Sequence, residues 1–131
     1  MEAPSVFFPL DLTAEYYMDE RCHIVEVLNN AADPHLSIAR ARVEPGVTTR
    51  WHCVHGTVER YVIQAGYGLM ELGDLPPQAV GPGDVVLIPA GWRQRITNGG
   101  SDDLVFLAIC TPRFRFESYA DVDSEPLPGK R

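Results

Sequence analysis

The sequence predicts a single all-β domain, a double-stranded β-helix or jelly-roll barrel, and three observations support this fold class. The 131 residues are enough for one core but leave no room for a second domain. Short runs of β-branched and aromatic residues recur at a spacing of roughly 8–12 residues with turn signals between them. Pro45-Gly46 and Pro82-Gly83 each open a pair of strands, an echo that two Greek keys would give.

The individual elements follow from the turn residues and the composition between them. An irregular stretch or one short helical turn is expected over 12–17. The turn signals are, in order, Asn29-Asn30, Asp33-Pro34, Pro45-Gly46, His55-Gly56, Gly66, Gly73 to Pro77, Gly81 to Asp84, Pro89, Asn98 to Ser101 and Pro112. The strands predicted between them cover 23–28, 36–44, 47–54, 58–64, 68–72, 78–80, 85–88, 92–97 and 104–110. The apolar segment 85–88 is predicted to be a buried strand.

Three segments organise the chain. Residues 1–34 form an N-terminal arm with the first strand, residues 35–112 form the barrel core, and residues 113–131 form a polar tail. The aromatic residues of the tail are expected to dock on the outside of the barrel or against a partner. From about Asp123 onward the tail is expected to be disordered.

Composition and charge exclude several classes of function. A formal net charge of -7 argues against a nucleic-acid or anionic-membrane partner, because no basic field would attract phosphate. Three cysteines without a Cys-x-x-Cys spacing predict no disulfide framework and a reducing, cytoplasmic location. No signal peptide and no membrane-spanning apolar run are visible. Neither a phosphate-binding glycine loop nor a Gly-x-Ser-x-Gly motif is present, so nucleotide chemistry and serine hydrolysis are not supported.

Two punctuated segments carry the candidate site. In the segment 46–66, His52 and His55 precede Glu59, and glycines close both ends. Imidazole nitrogens and a carboxylate oxygen near a turn between strands suit a divalent transition metal. The segment 83–98 can bring a fourth donor, Gln94, to the same place.

The two segments resemble the two signature motifs of the cupin superfamily. The resemblance is to small, single-domain proteins with one conserved barrel. It implies a small β-barrel with a metal or ligand site inside its mouth. The matching residues are Gly46, His52, Glu59 and Gly66 for the first motif, and Gly83, Pro89, Gly91 and Asn98 for the second.

The sequence departs from these motifs at two histidine positions, which hold Val54 and Gln94. Residues two apart on a strand share a face, so His52 and Val54 point inward and His55 does not. A turn or bulge before Gly56 could rotate His55 into the site. In a second register, Cys53 and His55 occupy the two motif positions and His52 faces outward.

The resemblance implies one divalent transition metal, Fe, Mn, Ni or Zn, held by His52, His55, Glu59 and Gln94. Open coordination positions would suit an enzyme acting on a small organic molecule by dioxygenase, isomerase, lyase or cyclase chemistry. The alternative is a non-catalytic module that has lost the metal and binds a small molecule. Gln94 would then serve as an amide that recognises the ligand. A homodimer is expected, because barrels of this kind cover their sheet edges by pairing.

Strand alternation also predicts which side chains line the pocket. The mixture of small and apolar groups indicates a modest, mainly apolar ligand. The predicted lining residues are Ala39, Ala41, Tyr61, Ile63, Ile96 and Ala108.

Overall fold

The computed structural model describes residues 5–125 as two facing antiparallel sheets. Short 3-10 helices at Leu12–Ala14 and Phe116–Ser118 flank the barrel. The strands are β1 (Tyr16–Met18), β2 (Cys22–Leu28), β3 (Ser37–Val43), β4 (His52–Val54), β5 (Val58–Ala65), β6 (Gly68–Leu72), β7 (Gln78–Val80), β8 (Val85–Ile88), β9 (Gln94–Thr97), β10 (Leu104–Thr111) and β11 (Tyr119–Asp121).

The strand order is that of a double-stranded β-helix. One sheet has the order β1-β2-β3-β10-β5-β8 and the other the order β11-β4-β9-β6-β7. Ile24, Ile63 and Phe106 of the first sheet pack in one buried cluster with Met70 and Ile96 of the second. The predicted all-β jelly-roll barrel is therefore confirmed.

Gly66 shows why the first motif needs a glycine between β5 and β6. Its φ is +79°, a left-handed conformation that glycine adopts without strain. A Cβ atom at this position would lie 2.6 Å from the carbonyl oxygen of Asp103. Any larger residue would therefore push apart the turn and the start of β10.

The strand predicted over 47–54 is much shorter in the structure. Only His52–Val54 pairs as a strand, and Thr48 makes an isolated bridge to Thr97. The backbone N–H of Arg50 donates to the carbonyl of Glu20, and that of Trp51 donates to the Asp123 carboxylate. The first part of this segment thus makes only isolated contacts with β9, including the Thr49 N–H to the Ile96 carbonyl at 2.9 Å, and Arg50 and Trp51 bond to loops instead.

The segment 85–88 is half exposed rather than buried, which corrects the prediction. Val85 is 62% exposed and Leu87 is 59% exposed, whereas Val86 and Ile88 are buried. Strand β8 is the edge of the six-stranded sheet, and only its inner face meets the other sheet. Local apolarity alone could not distinguish an edge strand from a central one.

A buried ion pair fixes the last described strand to the barrel. Arg50 is 2% exposed, and its Nε lies 2.8 Å from the Asp121 carboxylate. Strand β11 pairs with β4, so Asp121 stands opposite His52. Of the tail predicted to be disordered, residues 123–125 are held by hydrogen bonds from Trp51 and within the tail itself. Residues 126–131 lie outside the described part of the chain.

Within residues 5–125, no helix is long and apolar enough to cross a membrane.

Candidate functional site

A cavity of about 60 Å³ lies between the inner faces of the two sheets. Its polar floor is defined by His52 and Glu59, which are buried, with Glu20, and its mouth is the side near the exposed Tyr16 and Glu26. The lining residues are Tyr16, Met18, Glu20, Ile24, Glu26, Asn29, Ser37, Ile38, Ala39, Ala41, His52, Val54, Glu59, Tyr61, Phe106, Ala108, Cys110, Phe114 and Tyr119.

Both ring nitrogens of His52 have a close polar neighbour. Its Nδ1 lies 2.8 Å from the carbonyl oxygen of Arg50. A carbonyl only accepts, so Nδ1 carries the proton and a neutral ring presents its lone pair at Nε2. That Nε2 lies 3.1 Å from Oε2 of Glu20, and both side chains are largely buried. A lone pair facing a carboxylate is repulsive unless a proton or a cation lies between them.

Glu20 enters the site from the turn that precedes β2. The Cys22 thiol donates to its Oε1 at 2.8 Å, which leaves Oε2 directed at His52. The alternation of β2 places Cys22 and Ile24 on the inner face, and Glu20 continues this pattern backward. Sequence reasoning missed Glu20, because nothing in its polar turn distinguishes it from a solvated acid.

Glu59, Gln94 and Tyr61 form a buried hydrogen-bonded chain. The Tyr61 hydroxyl donates to Oε1 of Gln94 at 2.6 Å, and Nε2 of Gln94 donates to Oε1 of Glu59 at 2.9 Å. The alternation of β5 puts Glu59 and Tyr61 on one inner face. Gln94 reaches them from the facing sheet, where it pairs with His52. The second oxygen of Glu59 lies 3.6 Å from the thiol of Cys110.

Burial dominates the electrostatics of this chain of residues. It raises the pKa of the Glu59 carboxyl, and the nearby His52 and the hydrogen bond from Gln94 only partly oppose that effect. Burial and the Glu59 charge also hold the pKa of Tyr61 well above its usual range. Tyr61 therefore stays protonated and serves as a hydrogen-bond donor.

The structure brings His52, Glu59 and Gln94 together but does not bring His55 to them. Strand β4 ends at Val54, and His55 stands in the following turn, exposed to solvent. Gly56, with φ +72°, allows this turn without a bulge that would rotate His55 inward. The register with Cys53 inward is not adopted either. Cys53 lies outside the cavity lining, and its Sγ is 3.6 Å from Nε2 of His55.

Most of the predicted lining residues face the cavity. Ala39, Ala41, Tyr61 and Ala108 line it. Ile63 and Ile96 do not. Each is 1% exposed and packs in the hydrophobic core, beyond the polar floor.

The tail closes the cavity, contrary to the expectation that its aromatic residues dock outside. Phe114 and Tyr119 both belong to the lining. The ring of Tyr119 stacks on His52 at a centroid distance of 5.3 Å. The ring of Phe116 also stacks on Tyr119, at a centroid distance of 6.1 Å. Only Phe116 is mainly exposed.

Within residues 5–125, no three His, Cys, Asp or Glu side chains are already arranged as a metal group. The types of donor nevertheless fit a divalent ion. The tautomer of His52 leaves Nε2 free to coordinate, with Nδ1 held by a carbonyl, as is usual for metal-bound histidine. The carboxylates of Glu20 and Glu59 and the amide oxygen of Gln94 supply oxygen donors in the same buried space.

The fold and the cavity define a small double-stranded β-helix barrel with a polar floor. The chain belongs to the cupins: the Cupin_2 family, described as cupin domain, matches residues 39–110. Glu20, Phe114 and Tyr119 lie outside the matched range. No curated protein matches the sequence.

Several solved structures share the fold. A conserved protein with a double-stranded β-helix domain from Klebsiella pneumoniae superposes with a TM-score of 0.71 at 13% identity, covering 86% of this chain and 93% of its own. KdgF from Halomonas sp. superposes with a TM-score of 0.72 at 16% identity, and the alignment covers 83% of this chain and 96% of KdgF. A predicted oxalate decarboxylase from Thermotoga maritima is 27% identical, with a TM-score of 0.63. The alignment covers 70% of this chain and 80% of the decarboxylase.

Proposed function

We propose that this chain is a metal-dependent enzyme that acts on a small organic molecule in the cavity. The observation that carries the proposal is the approach of His52 to Glu20. Two donors bound to one ion at about 2.1 Å and at right angles lie about 3.0 Å apart, close to the 3.1 Å between Nε2 and Oε2. A cation between them would turn a repulsive contact into an attractive one.

His52, Glu20 and Glu59 would hold the ion, and Gln94 would add an amide oxygen after its side chain turns over. Nitrogen and oxygen donors of this kind favour Fe, Mn, Ni or Zn. His55, named by the sequence as a further ligand, stands outside this set. The bound ion supplies Lewis-acid polarisation of a substrate oxygen.

The other residues of the cavity would perform three tasks. If Glu59 is left unligated by the ion, its raised pKa and its hydrogen-bonded carboxyl would suit proton transfer. In that state Gln94, whose amide oxygen accepts from Tyr61, would hold the Glu59 carboxyl in one orientation. Phe114 and Tyr119 exclude water from the mouth. Dioxygenase, isomerase, lyase and cyclase chemistry all remain within this proposal, and the likeness to a predicted decarboxylase supports an enzymatic role.

A specific observation favours a second candidate, a binding module without a metal. Both amide atoms of Gln94 and both carboxylate oxygens of Glu59 already have hydrogen-bond partners. A proton between His52 and Glu20 would complete the network without any ion. The barrel would then bind a small molecule and catalyse nothing.

We also infer a homodimer in the cytoplasm. The exposed Val85 and Leu87 on the edge strand β8 support pairing between copies, because an apolar edge is otherwise left in water. All three cysteines are free and buried, which agrees with a reducing compartment. Analytical ultracentrifugation of the wild type beside Leu87→Glu tests the dimer. A monomeric wild type would overturn the homodimer.

Elemental analysis of the protein purified without chelator tests the metal. We expect about one transition metal per chain in the wild type and in His55→Ala, and none in His52→Ala. A wild type that stays metal-free after incubation with Fe(II), Mn(II), Ni(II) and Zn(II) would rule out the metalloenzyme. The binding module would then be the better reading.

A further inference from the structure

We propose that the cavity selects a small organic cation, an amine with an apolar body, and rejects carboxylates and phosphates of the same size. This inference names the charge class of the substrate, an amine that would also carry the oxygen polarised by the ion, and in that respect rests on the proposed function. The selection itself follows from the charges of the lining residues and is defined for the cavity without a bound ion, where no metal can bind a carboxylate directly.

Among residues 5–125, the lining includes three acids and no lysine or arginine. Glu20 and Glu59 lie on the floor, and Glu26 lies at the mouth on the inner face of β2. His52 is the only basic group among them. A divalent ion at the floor would offset two negative charges, so one carboxylate would still face the ligand without a counter-charge.

The arginines of the neighbouring strands are engaged on other faces. Arg40 and Arg42 alternate with the inward alanines of β3, so they stand on the outer face of the sheet. Both pair with Glu15, Arg42 at 2.6 Å. They cannot provide a counter-charge for an anion inside the barrel.

Two further arginines lie outside the mouth. A shallow depression there shares Glu26 and Asn29 with the cavity and includes Arg113 and Arg115. Arg113 donates to the Asn29 side chain at 3.0 Å, and Arg115 lies 3.7 Å from Glu117. Neither belongs to the cavity lining. The mouth is therefore mixed in charge, whereas the interior is acidic.

Aromatic rings supply the rest of the preference. Tyr16, Phe106, Phe114 and Tyr119 contribute to the wall. A cation in the metal-free cavity keeps favourable partners in the aromatic rings and the carboxylates after it leaves water. An anion in the same cavity finds neither, so the cost of removing its hydration is not recovered. Burial raises the pKa of Tyr16 to about 12, so its hydroxyl stays neutral and adds no negative charge.

The size of the cavity limits the ligand. A volume of about 60 Å³ holds on the order of four to six water-sized groups, at roughly 10–15 Å³ each. A molecule with about as many non-hydrogen atoms would fill it. The three alanines of the wall leave this room, because any larger side chain at Ala39, Ala41 or Ala108 would occupy it.

Titration with three matched probes tests the inference. Isobutylammonium, isobutanol and isobutyrate share one apolar body and differ in charge. We expect the full-length protein to bind isobutylammonium at least about tenfold more tightly than isobutyrate, with isobutanol between them. Affinities would be measured by NMR shift perturbation, on protein loaded with metal and on protein treated with chelator.

Variants locate the binding and its cause. Glu26→Gln should weaken the binding of isobutylammonium by roughly threefold. Glu117→Gln changes a residue outside the cavity and should leave that affinity unchanged. Ala108→Leu should abolish binding of all three probes by filling the cavity, and Ala39→Leu provides a second filler if the first does not fold. Equal or tighter binding of isobutyrate would overturn the inference, as would binding that survives both fillers.

The two proposals fail separately. A metal-free protein that still prefers isobutylammonium would reject the metalloenzyme and keep the cation selectivity. A protein that binds metal but prefers isobutyrate after treatment with chelator would keep the enzyme and reject the selectivity.

Discussion

Oε2 of Glu20 and Nε2 of His52 lie 3.1 Å apart, and this contact joins the N-terminal arm to the first cupin motif. Glu20 stands outside the range that matches the family, and His52 stands within it. The acid therefore adds to the motif site a donor that comes from another part of the chain. Glu20 contacts strand β4, in which Val54 occupies a position where the motif has a histidine.

Glu20→Gln should weaken divalent metal binding by about 10- to 100-fold, because a neutral amide replaces a charged donor beside His52. Titration with Co(II), followed by its visible absorbance, measures the effect. Glu26→Gln is the matched control, since it removes a carboxylate at the mouth that faces no histidine. Equal affinities for Glu20→Gln and the wild type would show that Glu20 is not a ligand.

His52→Ala and His55→Ala should behave differently, although the two histidines are close in sequence. His52 is buried at the cavity floor, and His55 is exposed beside Cys53. We expect at least a roughly tenfold loss of metal affinity for His52→Ala and no change for His55→Ala, measured by isothermal titration with Zn(II). A comparable loss in both would indicate that the turn before Gly56 rearranges when metal binds.

Tyr61→Phe should lower the free energy of unfolding by about 1–3 kcal/mol, because the buried amide oxygen of Gln94 loses its donor. Urea denaturation at neutral pH measures this change. Tyr67→Phe is the control, because Tyr67 is 69% exposed and losing its hydroxyl should have little effect. Similar midpoints for the two variants would show that the hydrogen bond to Gln94 contributes nothing net.

The Glu15–Arg42 pair should make the free energy of unfolding depend on pH in the acidic range. Hydrogen bonds from Arg42 hold the pKa of the Glu15 carboxyl below its usual range. A carboxyl with a lowered pKa in the folded state stabilises the protein above its unfolded pKa of about 4.3. That contribution is lost as the pH falls through the folded value.

Glu15→Gln should therefore lower the free energy of unfolding by about 1 kcal/mol at pH near 7, and the difference from the wild type should shrink as the pH drops below about 4. Unfolding by urea across this pH series measures it. Glu117→Gln provides the control, because Glu117 is exposed and its ion pair with Arg115 is long, at 3.7 Å. A difference that stays constant with pH would contradict the assigned ion pair.

Much of the fold could be predicted because its signals are local. Turn glycines and prolines set the boundaries of the strands Gly68–Leu72, Gln78–Val80 and Val85–Ile88 at the positions that the structure shows. Alternation along β5 and β9 correctly directed Tyr61 and Gln94 inward, because the side-chain period of a strand is fixed by its backbone. The eight matching residues of the two motifs, polar ones such as His52 and Glu59 together with the glycines and Pro89, indicated the cupin family that the match over residues 39–110 shows.

Only the tertiary structure decided which distant segments meet at the cavity. Glu20, Phe114 and Tyr119 come from the two ends of the chain, and no periodicity in those ends indicates that they close the barrel. The position of His55 depended on where β4 ends, and that end is set by the turn and by pairing with β9 and β11. Alternation assigns a residue to a face of its own strand, whereas the partner of that face is determined by long-range packing of the two sheets.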